Sequence, residues 1–214
     1  AFSGIKGVFT SPYLLGIAGF IALMTFASTI LYFAQSDLVY SAMTDRGERT
    51  AFLAKIDLTV NILTIVFEVY LTARLIRWLG VGLTLAVIPA AVAVGFLALG
   101  VYPTLATLVV VQIIYRAGRY GMTKPAREIL FTVVSREEKY KSKAFIDAAV
   151  YRGGDLVSGW IYAGLAFVGL SLGTIAMLAA PVAAMWAILG IRVAAKGDVK
   201  AAEMESEKVT MPVA

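Results

Sequence analysis

The chain has 214 residues, 60% of them hydrophobic and 15% charged, with no Cys, no His and a formal charge of +5; its mean hydropathy is +0.83. A soluble domain carries about 45–50% apolar and about 25% charged residues, so this composition excludes disorder, collagen-like repeats and nearly every soluble fold. The missing Cys and His exclude disulfides, thiolate and imidazole metal sites, Cys and Ser–His nucleophiles and histidine proton relays. A charge of +5 is modest for a nucleic-acid binder, and no nucleic acid is expected as a partner. Ala1 stands first with no basic leader or small-residue cleavage site after it, so a segment of a longer protein is expected rather than a processed secreted one.

A bilayer core of about 30 Å needs roughly 20 helical residues, and six stretches of this kind follow one another. Residues 12–35 are free of charge and form the first expected span. Residues 36–49 are polar. Within them Asp45 and Glu48 have the spacing of a capping box, which predicts a second helix over 46–79. Gly80 and Gly82 interrupt it, and a third span follows over 81–101. Pro103 suits the first turn of a fourth, over 103–122, and Pro125 ends the regular pattern. Ser135 and Glu138 repeat the capping signature and open a fifth helix over 136–170; the sixth covers 172–193. The expected fold is all-α and integral to the membrane, a six-helix bundle over 1–195 with a polar, mobile tail over 196–214.

Six spans place both ends on one side. Thirteen of the 19 cations fall in one set of connections, including Lys6, Arg74, Arg77, Lys124, Arg127 and Lys208. The opposite connections hold only Arg46, Arg49 and Lys55. Short loops rich in Lys and Arg stay in the cytoplasm, so both termini are expected there. The three remaining cations, Arg116, Arg119 and Arg152, fall within spans.

Charge in hydrocarbon is costly and survives by facing a bundle interior or a water-filled cavity. In the second helix Asp57, Asn61, Thr64 and Glu68 recur at helical spacing and make one stripe. Gln112, Arg116, Arg119 and Thr123 do so in the fourth, and Asp147, Tyr151, Asp155, Ser158 and Tyr162 in the fifth, with Arg152 at the edge. Asp57, Glu68 and Asp155 balance the three arginines. One reading is that they pair and hold the bundle together. The other is a hydrophilic path in which Arg116, Arg119, Arg152, Asn61, Gln112 and Tyr151 meet an anionic solute. The carboxylates Asp57, Glu68, Asp147 and Asp155 would then gate the path or bind a coupling ion. Gly153 and Gly154 suit close helix approach, Trp78, Trp160 and Tyr102 suit the lipid interface, and the apolar run 129–134 suits the membrane surface or the underside of the bundle. No GxxxxGK[ST] occurs, which excludes an ATP-hydrolysing motor from this chain.

The run over 125–147, with Val150-Tyr-Arg-Gly-Gly-Asp155 and Ser158-Gly-Trp160 after it, resembles the ATP/ADP translocase (nucleotide transporter) family and its bacterial major facilitator superfamily relatives. Ile56-Asp-Leu-Thr-Val-Asn61 and Leu71-Thr-Ala-Arg-Leu-Ile-Arg77 are similar to the same group. The resemblance covers nearly the whole chain. It implies the C-terminal half of a twelve-helix major facilitator fold, with substrate between two six-helix halves. Arg74, Arg77 and Gly80 stand where that superfamily has a Gly-x-x-x-Asp-Arg type loop motif, whose Asp is absent here.

The expected function is therefore secondary active transport of an anionic metabolite by alternating access. By resemblance that metabolite is ATP/ADP, which arginine suits through paired bonds to phosphate oxygens. The alternatives are a proton-coupled carrier of another small organic solute and a non-transporting structural six-helix membrane protein. No enzymatic activity and no cofactor or metal is expected. The expected partners are the lipid bilayer, a missing N-terminal six-helix half or a second copy, and the anionic solute. The resemblance places the protein in a bacterial inner membrane.

Overall fold

The structure, a computed structural model, describes residues 8–210. Lys6 and residues 211–214 of the tail lie outside the described residues, as does the side chain of Lys208. Helix α1 covers Pro12–Ala42. It starts where Ser11 accepts a hydrogen bond from the Leu14 N–H and where Pro12, with no N–H to lose, occupies the first turn. The helix runs seven residues past the expected end at 35, because Gln35 and Asp37 find partners on other helices instead of forming a loop. Helix α2, Arg46–Val66, begins at the expected Asp45 cap, whose carboxylate accepts the Glu48 N–H at 2.7 Å.

A π-helical turn, Phe67–Leu71, joins α2 without a break to α3, Thr72–Val101. Together they run 56 residues, far more than a bilayer core needs. The run is divided at Gly80, where φ is 74° and ψ 173°. That backbone conformation is open to glycine and strained for any other residue. The expected boundary between the second and third stretches therefore falls at Gly80.

Helix α4, Leu105–Gly118, starts one cap later than expected, with Thr104 as its N-cap and Pro103 outside. Nor does Pro125 end the helix. A second π turn, Arg119–Thr123, leads directly into α5, Lys124–Leu130, with Pro125 in its first turn. Pro125 has no N–H for the carbonyl of Gly121 four residues back, and a buried hydroxyl serves that carbonyl instead. Thr72 Oγ1 donates to Gly121 O at 2.5 Å and also contacts Phe67 O at 2.9 Å. The two π turns thus meet. A Cβ on Gly121 would sit 2.7 Å from Phe67 Cβ and 2.9 Å from the Thr64 carbonyl. Because one obstacle is backbone, Gly121→Ala is expected to destabilise the fold by about 1–3 kcal/mol, the usual range for overpacking. A thermal unfolding midpoint equal to that of the unaltered protein would contradict the contact.

Helix α6, Arg136–Phe145, is capped by Ser135 as expected, and a third π turn, Ile146–Val150, joins it to α7, Tyr151–Phe167. After a turn at Gly169 (φ 83°), α8 runs over Leu172–Thr210. The tail is therefore not an irregular extension as far as Thr210; it prolongs the last helix. The apolar run 129–134 tucks inward, with Leu130, Phe131 and Val134 buried and Tyr13 donating to the Leu130 carbonyl at 2.7 Å.

The helices form two layers. In the front layer α2 packs on α4, α4 on α1 and α1 on α7; behind them α3 and α8 lie along each other, with α3 against α4 and α8 against α1. Gly100 and Gly173 let α3 and α8 touch backbone to backbone. The core lies between the layers and is apolar: Phe20, Leu85, Phe96, Tyr115 and Trp186 are fully buried. Among the described residues there is no strand, and three helices are long and apolar enough to cross a membrane: Pro12–Ala42, Arg46–Val101 and Leu172–Ser206. The other two helical runs, over 105–130 and 136–167, each continue through a π turn and carry the charged stripes of the fourth and fifth expected spans. Tyr102, Trp78 and Trp160 point outward, as do Val94, Leu97, Leu156, Phe167 and Ile188. Exposed apolar surface on this scale marks contact with lipid or a partner.

Candidate functional site: a polar face on the front layer

The charged members of the three stripes stay out of the bundle interior, whereas Gln112, Thr123, Ser158 and Tyr162 of the same stripes are buried. Among the described residues no Asp, Glu, Lys or Arg is buried; the buried polar side chains are Thr, Ser and Gln112. The charges lie on the front layer, and their partners differ from the expected three-against-three balance. Of the three span arginines only Arg116 meets a carboxylate of the stripes, with its guanidinium 2.6 Å from Asp57 across α2 and α4. Side-chain exposures of 31% and 56% make this a surface pair, worth at most about 1 kcal/mol. A double-mutant cycle with Arg116→Gln and Asp57→Asn is expected to give a coupling below that value; several kcal/mol in unfolding experiments would contradict a hydrated pair.

Arg119 has the densest set of contacts, and none is a carboxylate. Its guanidinium donates to Ser28 Oγ and Tyr115 Oη, both at 3.3 Å, and to Tyr151 Oη. It lies over the rings of Tyr120, Tyr151 and Tyr115 at 5.2, 5.3 and 5.9 Å. Tyr115 is fixed in turn by donating to the Met24 carbonyl at 3.0 Å. Hydroxyls and π faces hold the arginine in place without neutralising it. A full positive charge, tied to α1 and α7, is left for an anion.

Two turns back along α4 from Arg119, Gln112 donates to Gln35 of α1 at 2.6 Å. On α7, Asp155 accepts from Thr29 at 3.3 Å, and Tyr162 donates to Asp37 at 2.5 Å while stacking on Phe33 at 4.6 Å. Gly154 permits the close approach of α7 to α1, its α-carbon facing Thr25, whereas Gly153 faces open space. Arg152 has no ion pair among the described residues. It lines a groove of about 880 Å³ between α1 and α7 with Ser28, Tyr32, Phe33, Asp155 and Trp160. Aromatic walls with a free guanidinium suit an organic anion.

The remaining predicted residues stand apart from that groove. Asn61 and Glu68 are exposed on α2 and its π turn, without hydrogen-bond partners among the described residues; Glu68 borders a separate hollow with Tyr120 and Lys124. Arg74 and Arg77 are exposed before Gly80, and Arg77 returns a hydrogen bond to the Ala73 carbonyl at 3.3 Å. Arg127 reaches Asp147 at 3.7 Å and Glu128 at 3.9 Å, while Lys143 takes Glu128 at 2.7 Å. The α1 contribution escaped the sequence reading. Thr25, Ser28, Thr29, Tyr32 and Gln35 form a fourth, uncharged stripe at helical spacing, a signal that a search for charge overlooks.

Fold and face together define an all-helical membrane protein whose polar surface is turned outward from an apolar core. Compared with family models, with curated proteins and with solved structures, the chain has no match.

Proposed function

We propose that this chain is one half of a secondary active transporter for an anionic metabolite, with the front-layer face as its share of the substrate path. The observation that carries the reading is the placement of charge. Intramembrane charges of a self-sufficient bundle face inward; here Asp57, Glu68 and Arg152 are exposed on helices whose neighbouring exposed side chains are Leu58, Ile62, Ile65, Leu156 and Val157. Against lipid, each such charge would cost about 3 kcal/mol or more. A water-filled cavity shared with a second six-helix unit, either an N-terminal half or another copy, removes that cost. In this reading all six helical stretches cross the membrane, with both termini in the cytoplasm of a bacterium. α3 and α8 are the lipid-side backing of the half.

Arg119 and Arg152 are the residues suited to meet an anion, because neither is neutralised by a carboxylate. Asp57 and Arg116, bridging two front helices at the surface, suit a gate that opens and closes against the facing half. ATP/ADP exchange remains the substrate reading that the resemblance implies. The test is counterflow in proteoliposomes containing the full-length protein: vesicles loaded with ADP are expected to take up external ATP, and unloaded ones much less. No uptake of ATP, ADP or any other organic anion would overturn the transporter reading. Uptake of an organic anion other than nucleotide would retain it and remove the nucleotide.

A further inference from the structure

We infer that the groove between α1 and α7 is a binding site for a zwitterionic solute of the amino-acid kind, whose carboxylate meets Arg152, whose ammonium group meets Asp155 and whose body is aromatic. The groove has a volume of about 880 Å³, within the range of about 300–1,000 Å³ usual for small-molecule sites. Its lining holds one cation, Arg152, and one carboxylate, Asp155; every other lining residue is uncharged.

The two charges supply the first argument. Arg152 and Asp155 stand three residues apart on α7 and share one helix face. Opposite charges at that spacing can pair, yet these two form no ion pair with each other or with any other described residue. Thr29 of α1 donates to Asp155 Oδ1 at 3.3 Å and ties the carboxylate to the α1 wall, while Oδ2 has no hydrogen-bond partner among the described residues. The Arg152 side chain is exposed on the same groove, also without a partner there. A solute with only an anionic group would bring that charge into a groove that already holds Asp155, and one with only a cationic group would bring it to Arg152. A solute with both groups satisfies both residues, and the repulsive member of the pair selects against the singly charged ones.

The walls supply the second. Tyr32 and Trp160 line the groove with most of their surface open, 66% and 75%. Phe33 is fixed by stacking on Tyr162 at 4.6 Å and meets Tyr32 edge-on at 5.6 Å. Gly159 contributes no side chain, and even a Cβ there would stand 3.9 Å from Phe33, so α7 leaves space beside that ring. Aromatic faces take an aromatic body and also attract an ammonium group. A polyanion, by contrast, offers no cation to Asp155. This deepens the transport reading, on which its cellular use rests, by giving the solute a cationic group beside its anionic one; the binding site itself stands on the geometry.

Binding is measured on the full chain in maltoside micelles at neutral pH, from the rise of the thermal unfolding midpoint with the concentration of probes that share one phenyl body. L-phenylalanine carries both charges, phenylpropionate only the carboxylate and phenethylamine only the ammonium group. L-phenylalanine is expected to bind on the order of tenfold more tightly than either, the loss of one charge-assisted hydrogen bond. Asp155→Asn, which keeps an acceptor for Thr29, is expected to remove the advantage over phenylpropionate, and Arg152→Gln the advantage over phenethylamine. A purely structural role for either residue would not change those ratios. Arg192→Gln, a charge change on exposed α8, leaves all of them unaltered. Protection by added phosphatidylethanolamine and not by L-phenylalanine, lost in Asp155→Asn, keeps the site and places the paired charges on a lipid headgroup instead of a solute. Phenylpropionate or phenethylamine binding as tightly as L-phenylalanine, or no protection by any zwitterion, overturns the inference. Discrimination that depends on both residues, without uptake of L-phenylalanine or of any organic anion into proteoliposomes, removes the transport reading and leaves the site. Uptake of an organic anion with KM unchanged in Asp155→Asn, and no protection by a zwitterion, does the reverse.

Discussion

Arg119→Ala is expected to lower solute uptake on the order of 100-fold, and Arg119→Lys to recover little of it. The guanidinium holds three hydroxyls on three helices and stacks on three tyrosine rings. Hydrogen bonds to a charged group contribute about 1.5–3 kcal/mol each, and about 3 kcal/mol corresponds to roughly a 100-fold change in an equilibrium constant. Lysine keeps the charge but not the planar fork, so it cannot reach Ser28, Tyr115 and Tyr151 together. Initial rates in proteoliposomes, paired with unfolding midpoints, separate the two roles of the residue. If the charge serves the solute, Arg119→Lys loses uptake well beyond what its loss of stability explains. Uptake within threefold of the unaltered protein in Arg119→Ala would remove this residue from the substrate path.

Trp186→Ala is expected to cost about 3 kcal/mol of stability, the largest effect of any single truncation in the core. Trp186 is 0% exposed, with Phe20 at 5.5 Å and Tyr115 at 6.4 Å between ring centres. It joins α8 to both α1 and α4, so its removal opens a cavity where the two layers meet. Truncation of a buried Trp or Phe in a soluble core costs about 3–5 kcal/mol. The low end applies because lipid also solvates the unfolded side chain, leaving mainly the cavity and the lost dispersion contacts. Trp186→Phe is expected to cost less than about 1.5 kcal/mol, since the indole N–H has no hydrogen-bond partner to lose. Chemical unfolding in detergent micelles reads both values. A Phe variant as unstable as the Ala variant would mean that the indole nitrogen is bound after all.

The Asp45 and Ser135 caps, the boundary at Gly80 and the three charged stripes were legible because each depends on residues within a few positions of one another. A cap needs a side-chain oxygen beside a free N–H. A stripe needs only a period of 3.6. The three π turns left no comparable trace. The turn at Arg119–Thr123 is tolerated with Pro125 after it because Thr72, 49 residues away, supplies the hydroxyl that serves the Gly121 carbonyl. Likewise the length of α1 was hidden, since Gln35 and Asp37 are polar by composition and remain helical through Gln112 and Tyr162.

The arithmetic of charge was legible too, but not its pairing. Three acids and three arginines in spans suggest three pairs, and the fold makes one. Arg119 goes to tyrosines, Asp155 to a threonine, and Arg152 to an open groove. Helix position fixes which residues share a face, whereas pairing requires two faces to meet at the same depth.

By itself the amino-acid sequence determined an all-helical chain of membrane composition, most of its helix boundaries, and which polar residues stand on common faces. These follow from local hydrogen bonding, backbone sterics and the helical repeat. Only the tertiary structure decided that the charged positions on those faces stay outside while Gln112, Thr123, Ser158 and Tyr162 are buried, because a periodic stripe carries no sign of inside or outside. The apolar surfaces of α1, α3, α4 and α8 close around Phe20, Phe96 and Trp186. With the interior filled by those side chains, the charges of α2, α4 and α7 are left on the opposite side.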